Sequence, residues 1–244
     1  SLSGAGAQIC LTASLRFAEA LMATGAKEEA QIAARKAWTM GALLPNDEMR
    51  LQQLFPGIMG ALEQDQRMDA LLQDRSLSAA TRQLLYVSPT RRIVFDARLA
   101  MLTKASDAGK KVEVADSLAQ GDAAYLFDKL SWLRAGAQGM TARNILAQPM
   151  RFNAPPRNPL GWMKIMLSSA KDAVSAGQYQ TAVDIARNVD ALYPAGTNIR
   201  DRAIGERDVY TDLVWLGGMT ALNRMGRARD AIPLFERYGN GAKS

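Results

Sequence analysis

Histidine is absent from this 244-residue chain, and cysteine occurs once, at Cys10. Without an imidazole there is no Ser-His-Asp or Cys-His nucleophile, and the commonest zinc and haem ligands are missing. One cysteine forbids an internal disulfide. Set in an alanine-rich helical stretch, Cys10 reads as a small core residue, and it does not decide between cytosol and periplasm. Long apolar runs are also missing. Residues 5–24 come nearest, but Gln8, Arg16 and Glu19 interrupt them and no basic segment precedes them. Neither a signal peptide nor a membrane span is therefore expected. The chain opens at Ser1 rather than Met, which reads as a processed or trimmed product whose targeting segment could already be gone.

Chemistry-bearing motifs are equally scarce. Gly4-Ala5-Gly6 precedes a helical pattern but follows no strand and lacks the Lys-Ser/Thr of a phosphate loop. Asp65, Asp69, Asp122 and Asp128 fall on different helical segments without metal-loop spacing, and read as caps or surface charges. The glutamates lie in charged stretches, so none reads as a general acid in a protected cleft. No catalytic residue, metal site or cofactor is expected.

What the chain does have is helix. Apolar residues make up 48% and charged residues 22%, an ordinary balance for a soluble protein. Alanine, leucine and arginine abound, whereas runs of Val, Ile and Thr are few, which favours helix over sheet. Ile9, Ala13, Phe17 and Ala20/Leu21 predict one apolar helix face. A helix follows from Lys27 to about Met40, its opening acids Glu28 and Glu29 suiting the positive end of the dipole. Gly41 to Pro45 breaks it, and Asn46 or Asp47 can cap the next. Short helices are expected over 61–74 and 77–86. Ser88-Pro89 starts another, with Ile93, Leu99 and Leu102 inward. Asp107 to Lys110 reads as a turn, followed by helices over about 111–119 and 122–135.

Gln148 to Pro159 holds four prolines and is the best candidate for a hinge or subdomain edge in an otherwise single domain over 1–244. Beyond it, Leu160, Met163, Leu167, Ala170 and Val174 mark a helix ending at Gly177. Ala182, Ile185, Val189 and Leu192 mark the next, stopped by Pro194, and helices over 200–224 and 227–238 complete the series. Trp132, Trp162 and Trp215 sit at apolar positions. Packing is the default for each, although an exposed one would stack on a sugar ring or another ligand.

A partial repeat runs through this pattern. Glycine followed five residues later by alanine occurs at Gly25/Ala30, Gly177/Ala182 and Gly226/Ala231, each time with a helix ending at the glycine. The last two glycines are 49 residues apart, longer than a tetratricopeptide unit. The fold expected is all-α: an irregular right-handed superhelix of stacked antiparallel helix pairs, tetratricopeptide-like. A generic helical domain with glycine C-caps is the other reading.

Net charge is +6. Arg200, Arg202, Arg207, Arg224, Arg227 and Arg229 form the densest positive cluster, interrupted by Asp201, Glu206, Asp208 and Asp230. Two readings stand: solvated helix faces paired at three or four residues, or a groove facing a polyanion, with these six arginines as glycan or partner contacts. No basic run interleaved with aromatics is present, and nucleic acid is not an expected partner.

Several of these residues resemble a known family. Lys129, Leu130, Trp132 and Leu133 in FDKLSWL; Pro155, Pro156 and Pro159; Trp162; and Trp215, Leu216, Gly218, Ala221, Leu222, Gly226, Ala231 and Phe235 follow its order. They are similar to the N-terminal α-superhelical domain of soluble lytic transglycosylases, periplasmic peptidoglycan-cleaving enzymes of Gram-negative bacteria. Ser88-Pro89-Thr90-Arg91-Arg92 and Ala97 to Ala100 also look like a helix of that domain. The resemblance spans roughly residues 60–238. It implies a periplasmic scaffold that helps confine the glycan, while a following lysozyme-like module cleaves the MurNAc–GlcNAc linkage to a 1,6-anhydro end. That module's Glu-Ser pair and Gly-Leu-Met-Gln motif are absent here, so no catalytic residue carries over and the chain is expected to be inactive alone. Peptidoglycan strands are the partner implied. A non-enzymatic helical-repeat adaptor for a protein or peptide is the alternative. A Glu-Ser pair downstream of Ser244 in the gene would separate the two.

Overall fold

The structure, a computed structural model, describes residues 4–241, with side chains from Ile9 onward. Among the described residues it is all-helical, with no strand. The chain divides into two compact units at Leu118/Ala119, and the Pro-rich stretch 148–159 lies inside the second.

The first unit holds α1 (Gly4–Ala23), α2 (Lys27–Thr39), α3 (Pro45–Leu54), α4 (Ala61–Gln73), α5 (Leu77–Gln83), α6 (Pro89–Thr103) and α7 (Ala108–Ala115). Its core is two clusters. One joins Leu11, Leu15 and Ala18 of α1 to Ala30, Ala34, Ala37 and Trp38 of α2, with Leu43, Leu51 and Phe55. The other joins Met68, Leu71 and Leu72 of α4 to Ala80, Val87, Phe95 and Leu99. Arg67 stands between them. Its guanidinium lies 3.8 Å above the Trp38 ring, donates to the carbonyls of Trp38 and Gly41, and meets Glu48 at 2.9 Å. Burial pulls this guanidinium below its usual range, and Glu48 opposes the shift.

The second unit holds α8 (Ala123–Ala135), α9 (Gly139–Ala147), α10 (Pro159–Ser175), α11 (Tyr179–Arg187), α12 (Ile204–Met219) and α13 (Ala228–Gly241). Two 3-10 segments, Asn188–Leu192 and Ile199–Asp201, and a π turn, Thr220–Arg224, join them. One continuous core runs from Leu130 to Leu234. Trp162 is buried in it, with Phe127 and Phe152 packed on its ring at 5.7 and 5.2 Å. Phe152 belongs to the Pro-rich stretch, which is also tied by Asn153, whose N–H donates to the Gly121 carbonyl.

One local device recurs in both units. A helix ends at a residue with positive φ, the next N–H bonds back five residues, and the chain reverses into a partner helix. It closes α1/α2 at Gly25, α4/α5 at Arg75, α6/α7 at Lys104, α8/α9 at Ala137 and α10/α11 at Gly177. The return bonds are Ala26 N to Leu21 O, Ser76 N to Leu71 O, Ala105 N to Ala100 O, Gln138 N to Leu133 O and Gln178 N to Ala173 O. At Gly226, between α12 and α13, the bond reaches one residue further, from Arg227 N to Ala221 O, because the π turn intervenes. Five residues after Gly25, Arg75, Ala137, Gly177 and Gly226 stand Ala30, Ala80, Ala142, Ala182 and Ala231, all buried. A methyl there lets the two helices approach closely.

Several local expectations are corrected. In α1 the buried face is Leu11, Leu15 and Ala18, while Ile9 and Phe17 are exposed. Cys10 is exposed rather than core. Gly4-Ala5-Gly6 lies within α1 instead of preceding it. Asp47 is not a cap: α3 starts after Leu44, and buried Asp47 accepts from Thr12 and Arg16. Ile93 is exposed, and Val94 and Phe95 point inward. Ala108 to Lys110 is the first turn of α7. Asp122 does cap α8, accepting from the N–H groups of Ala124 and Tyr125. Asp65 meets the N–H and hydroxyl of Ser88 at the start of α6.

Candidate functional site

A cleft of about 500 Å³ opens in the second unit between residues 190–200 and the C-terminal end of α13. Pro194 ends the 3-10 segment because it offers no N–H to continue it. Gly196, at φ 80°, then turns the chain, and the Thr197 hydroxyl closes that turn on the Pro194 carbonyl at 2.7 Å. The Asn198 side chain accepts from Arg200 N–H at the next 3-10 start. Five residues of irregular backbone thus form one wall.

Opposite them the side chains are held by carboxylates. Tyr210 donates its hydroxyl to Asp190 at 2.7 Å, and Arg237 meets the other oxygen of Asp190 at 3.1 Å while donating to the Arg187 carbonyl. Tyr193 donates to Glu206 at 3.1 Å, and Glu206 is also paired with Arg202. Both phenols are pushed up from their ordinary range, first by burial and then by the carboxylate each one faces. They remain neutral donors at any physiological pH, so neither is a general base. The arrangement orients groups and offers hydrogen bonds; it holds no nucleophile beside a base.

Of the six arginines expected as contacts, Arg200 alone lines this cleft. Arg200 donates to the carbonyls of Asn240 and Gly239, and Arg207 to that of Gly241, so both cover the negative end of α13. Arg202 is spent on Glu206, and Arg227 on Gln180. Arg224 and Arg229 are exposed and make no hydrogen bond or ion pair with the described residues. Charge density along the chain therefore marked helix-end ties more than a groove. Asp190, Tyr193, Tyr210 and Arg237 escaped the sequence reading because they lie on three separate segments. Only Pro194, where the apolar period stops, hinted at a break in the helix beside them.

Trp215 is not an ordinary packing residue. It is 46% exposed on α12, with Phe235 and Tyr238 of α13 at 5.3 and 5.0 Å. A Cβ on Gly218 would lie 2.7 Å from the Phe235 ring, so the glycine seats that ring.

Among the described residues there is no group of three or more Cys, Asp or Glu side chains able to hold a metal ion, and no helix is long and apolar enough to cross a membrane. No family model, curated protein or solved structure matches this chain.

Proposed function

We propose that this chain is the non-catalytic superhelical scaffold of a periplasmic lytic transglycosylase, and that it helps position glycan strands for a separate catalytic module. In this reading the helix pairs stack as an irregular, tetratricopeptide-like solenoid. The observation that supports it most is the recurrence of one hairpin closure, a positive-φ residue followed five positions later by a buried alanine. Within the second unit, α10 packs on α12 and α9 on α11, as stacked pairs do. The resemblance of Lys129 to Leu133 and of Trp215 to Phe235 supplies the family, and the +6 charge suits a polymer whose stem peptides carry carboxylates.

The test is sedimentation with purified, insoluble peptidoglycan across a salt series, alongside analysis of released fragments. The expected outcome is co-sedimentation that survives moderate salt, with no 1,6-anhydro-muropeptide released. Failure to co-sediment at low salt would remove the glycan role, and release of anhydro products by clean protein would remove the non-catalytic one.

A helical-repeat adaptor for a protein or peptide is the second reading. The Trp215–Phe235–Tyr238 surface, with Trp215 and Tyr238 exposed and Phe235 half-buried, favours it, since aromatic groups are enriched in protein interfaces.

A further inference from the structure

We propose that the cleft between residues 190–200 and the end of α13 is a binding site for a carboxylate. The argument is an inventory of spare hydrogen-bonding capacity. The Nε and Nη2 of Arg200 are used on the carbonyls of Asn240 and Gly239, which leaves Nη1 without a partner among the described residues. Arg237 uses Nε on Asp190 and Nη1 on the Arg187 carbonyl, which leaves Nη2. Asn240 lines the same space, and its side-chain amide has no partner among the described residues. The one carboxylate lining the cleft among the described residues is already engaged: Asp190 takes Tyr210 on one oxygen and Arg237 on the other. The Tyr193 and Thr197 hydroxyl protons point to Glu206 and to the Pro194 carbonyl. Among the charged groups, what remains unspent is donors.

The charge count agrees. Asp190 balances Arg237, and no carboxylate among the described residues lies within ion-pair distance of Arg200. The cleft therefore carries one surplus positive charge, which matches one monoanion. A carboxylate is planar and accepts only, so it complements a guanidinium edge that has N–H groups left over. A volume of about 500 Å³ admits a dipeptide or one acidic sugar. This assignment does not rest on the peptidoglycan reading, because the spare donors are there whichever molecule carries the acid.

The experiment is a titration of the full chain, followed by calorimetry or amide chemical shifts, with four probes. Acetyl-alanyl-alanine and N-acetylmuramic acid carry the carboxylate on a peptide and on a sugar. The dipeptide's C-terminal amide and N-acetylglucosamine lack it. At least one acid should bind, and its uncharged counterpart should bind about tenfold more weakly or worse. Which acid binds identifies the source. Arg200→Gln should weaken binding by about tenfold. Because Arg200 also covers the end of α13, Thr197→Glu serves as a second variant, placing a competing carboxylate in the cleft without touching that helix. Arg229→Gln removes the same charge from a partnerless arginine outside the cleft and should change nothing. The proposal is overturned if neither acid binds by about 10 mM, if the uncharged probes bind as well, or if Arg229→Gln weakens binding as much as Arg200→Gln.

Discussion

Among the described residues the first unit buries three charged side chains, Asp47, Arg67 and Arg98, whereas the second buries one, Asp128. The apolar cores differ in step. The first unit has two separate clusters, with Arg67 bridging between them and Arg98 of α6 paired to Asp69 of α4. The second has one continuous core that includes Trp162, closed by glycines where helices touch. Both use the same hairpin closure, so the local geometry is common and what differs is how one hairpin is fastened to the next. Apolar burial is non-directional and tolerant of small changes in shape. A buried guanidinium demands particular partners and leaves costly orphans when one is lost. Here Arg67 Nε and Trp38 Nε1 are buried without a hydrogen-bond partner, so the polar joint is not fully satisfied.

The contrast predicts different responses to truncation. The largest effect belongs to Trp162→Ala, which removes the largest side chain fully buried in the second core. A loss of about 3–5 kcal/mol is expected in urea denaturation. A loss under about 1 kcal/mol would mean that Phe127 and Phe152 collapse into the gap.

Arg67→Ala comes next, at about 3 kcal/mol, because it leaves Glu48 and two backbone carbonyls without their donor. The double variant Arg67→Met with Glu48→Gln should recover more than half of that loss, since apolar packing commonly replaces a buried ion pair. A double variant as unstable as Arg67→Ala would show that the carbonyl contacts themselves hold the two clusters together.

Gly217→Ala probes the close-packed unit from the other direction. Its new Cβ would sit 2.5 Å from the Ala186 methyl and 3.1 Å from Leu234 Cδ1. Overpacking of this kind costs about 1–3 kcal/mol. Gly205, on the same helix, has open space around it, and Gly205→Ala should leave the denaturation midpoint unchanged or slightly raised. Equal effects at the two sites would remove the close-packing argument.

These features were unevenly legible in the sequence. Gly25, Gly177 and Gly226 announced their reversals, because glycine is the residue that left-handed backbone favours. Arg75, Lys104 and Ala137 adopt the same backbone and gave no such signal, and helix α9, which follows Ala137, went unread. Helix α1 was read inside out because it carries two apolar stripes. Ile9, Ala13 and Phe17 have the same period as Leu11, Leu15 and Ala18, and periodicity alone cannot say which of them meets α2. The candidate cleft was hidden for a different reason. Its groups come from residues 190–200, 210 and 237–240, and only the fold brings them together. The arginine cluster was visible, but Arg200 and Arg207 reach helix-end carbonyls, Arg202 pairs with Glu206, and only Arg200 lines the cleft.

The smallest expected effect bears on the device the two units share. Arg75, Lys104 and Ala137 hold φ between 55° and 59°, a conformation that costs an L-residue about 1–2 kcal/mol. Glycine would relieve that cost but would lose about 0.5–1 kcal/mol of unfolded-state entropy. Ala137→Gly, which removes only a methyl, should therefore stabilise by about 0.5 kcal/mol. Lys104→Gly and Arg75→Gly should follow in the same direction, less cleanly because each also deletes a long side chain. The reverse change, Gly177→Ala, meets no atom within 4 Å, so its cost of about 0.5 kcal/mol would be backbone strain less the same unfolded-state entropy, with no packing contribution. Opposite signs for Ala137→Gly and Gly177→Ala in one denaturation series would establish that both closures are the same turn. A destabilising Ala137→Gly would instead mean that the methyl contributes packing at that reversal, and the closures would then differ between α8/α9 and α10/α11.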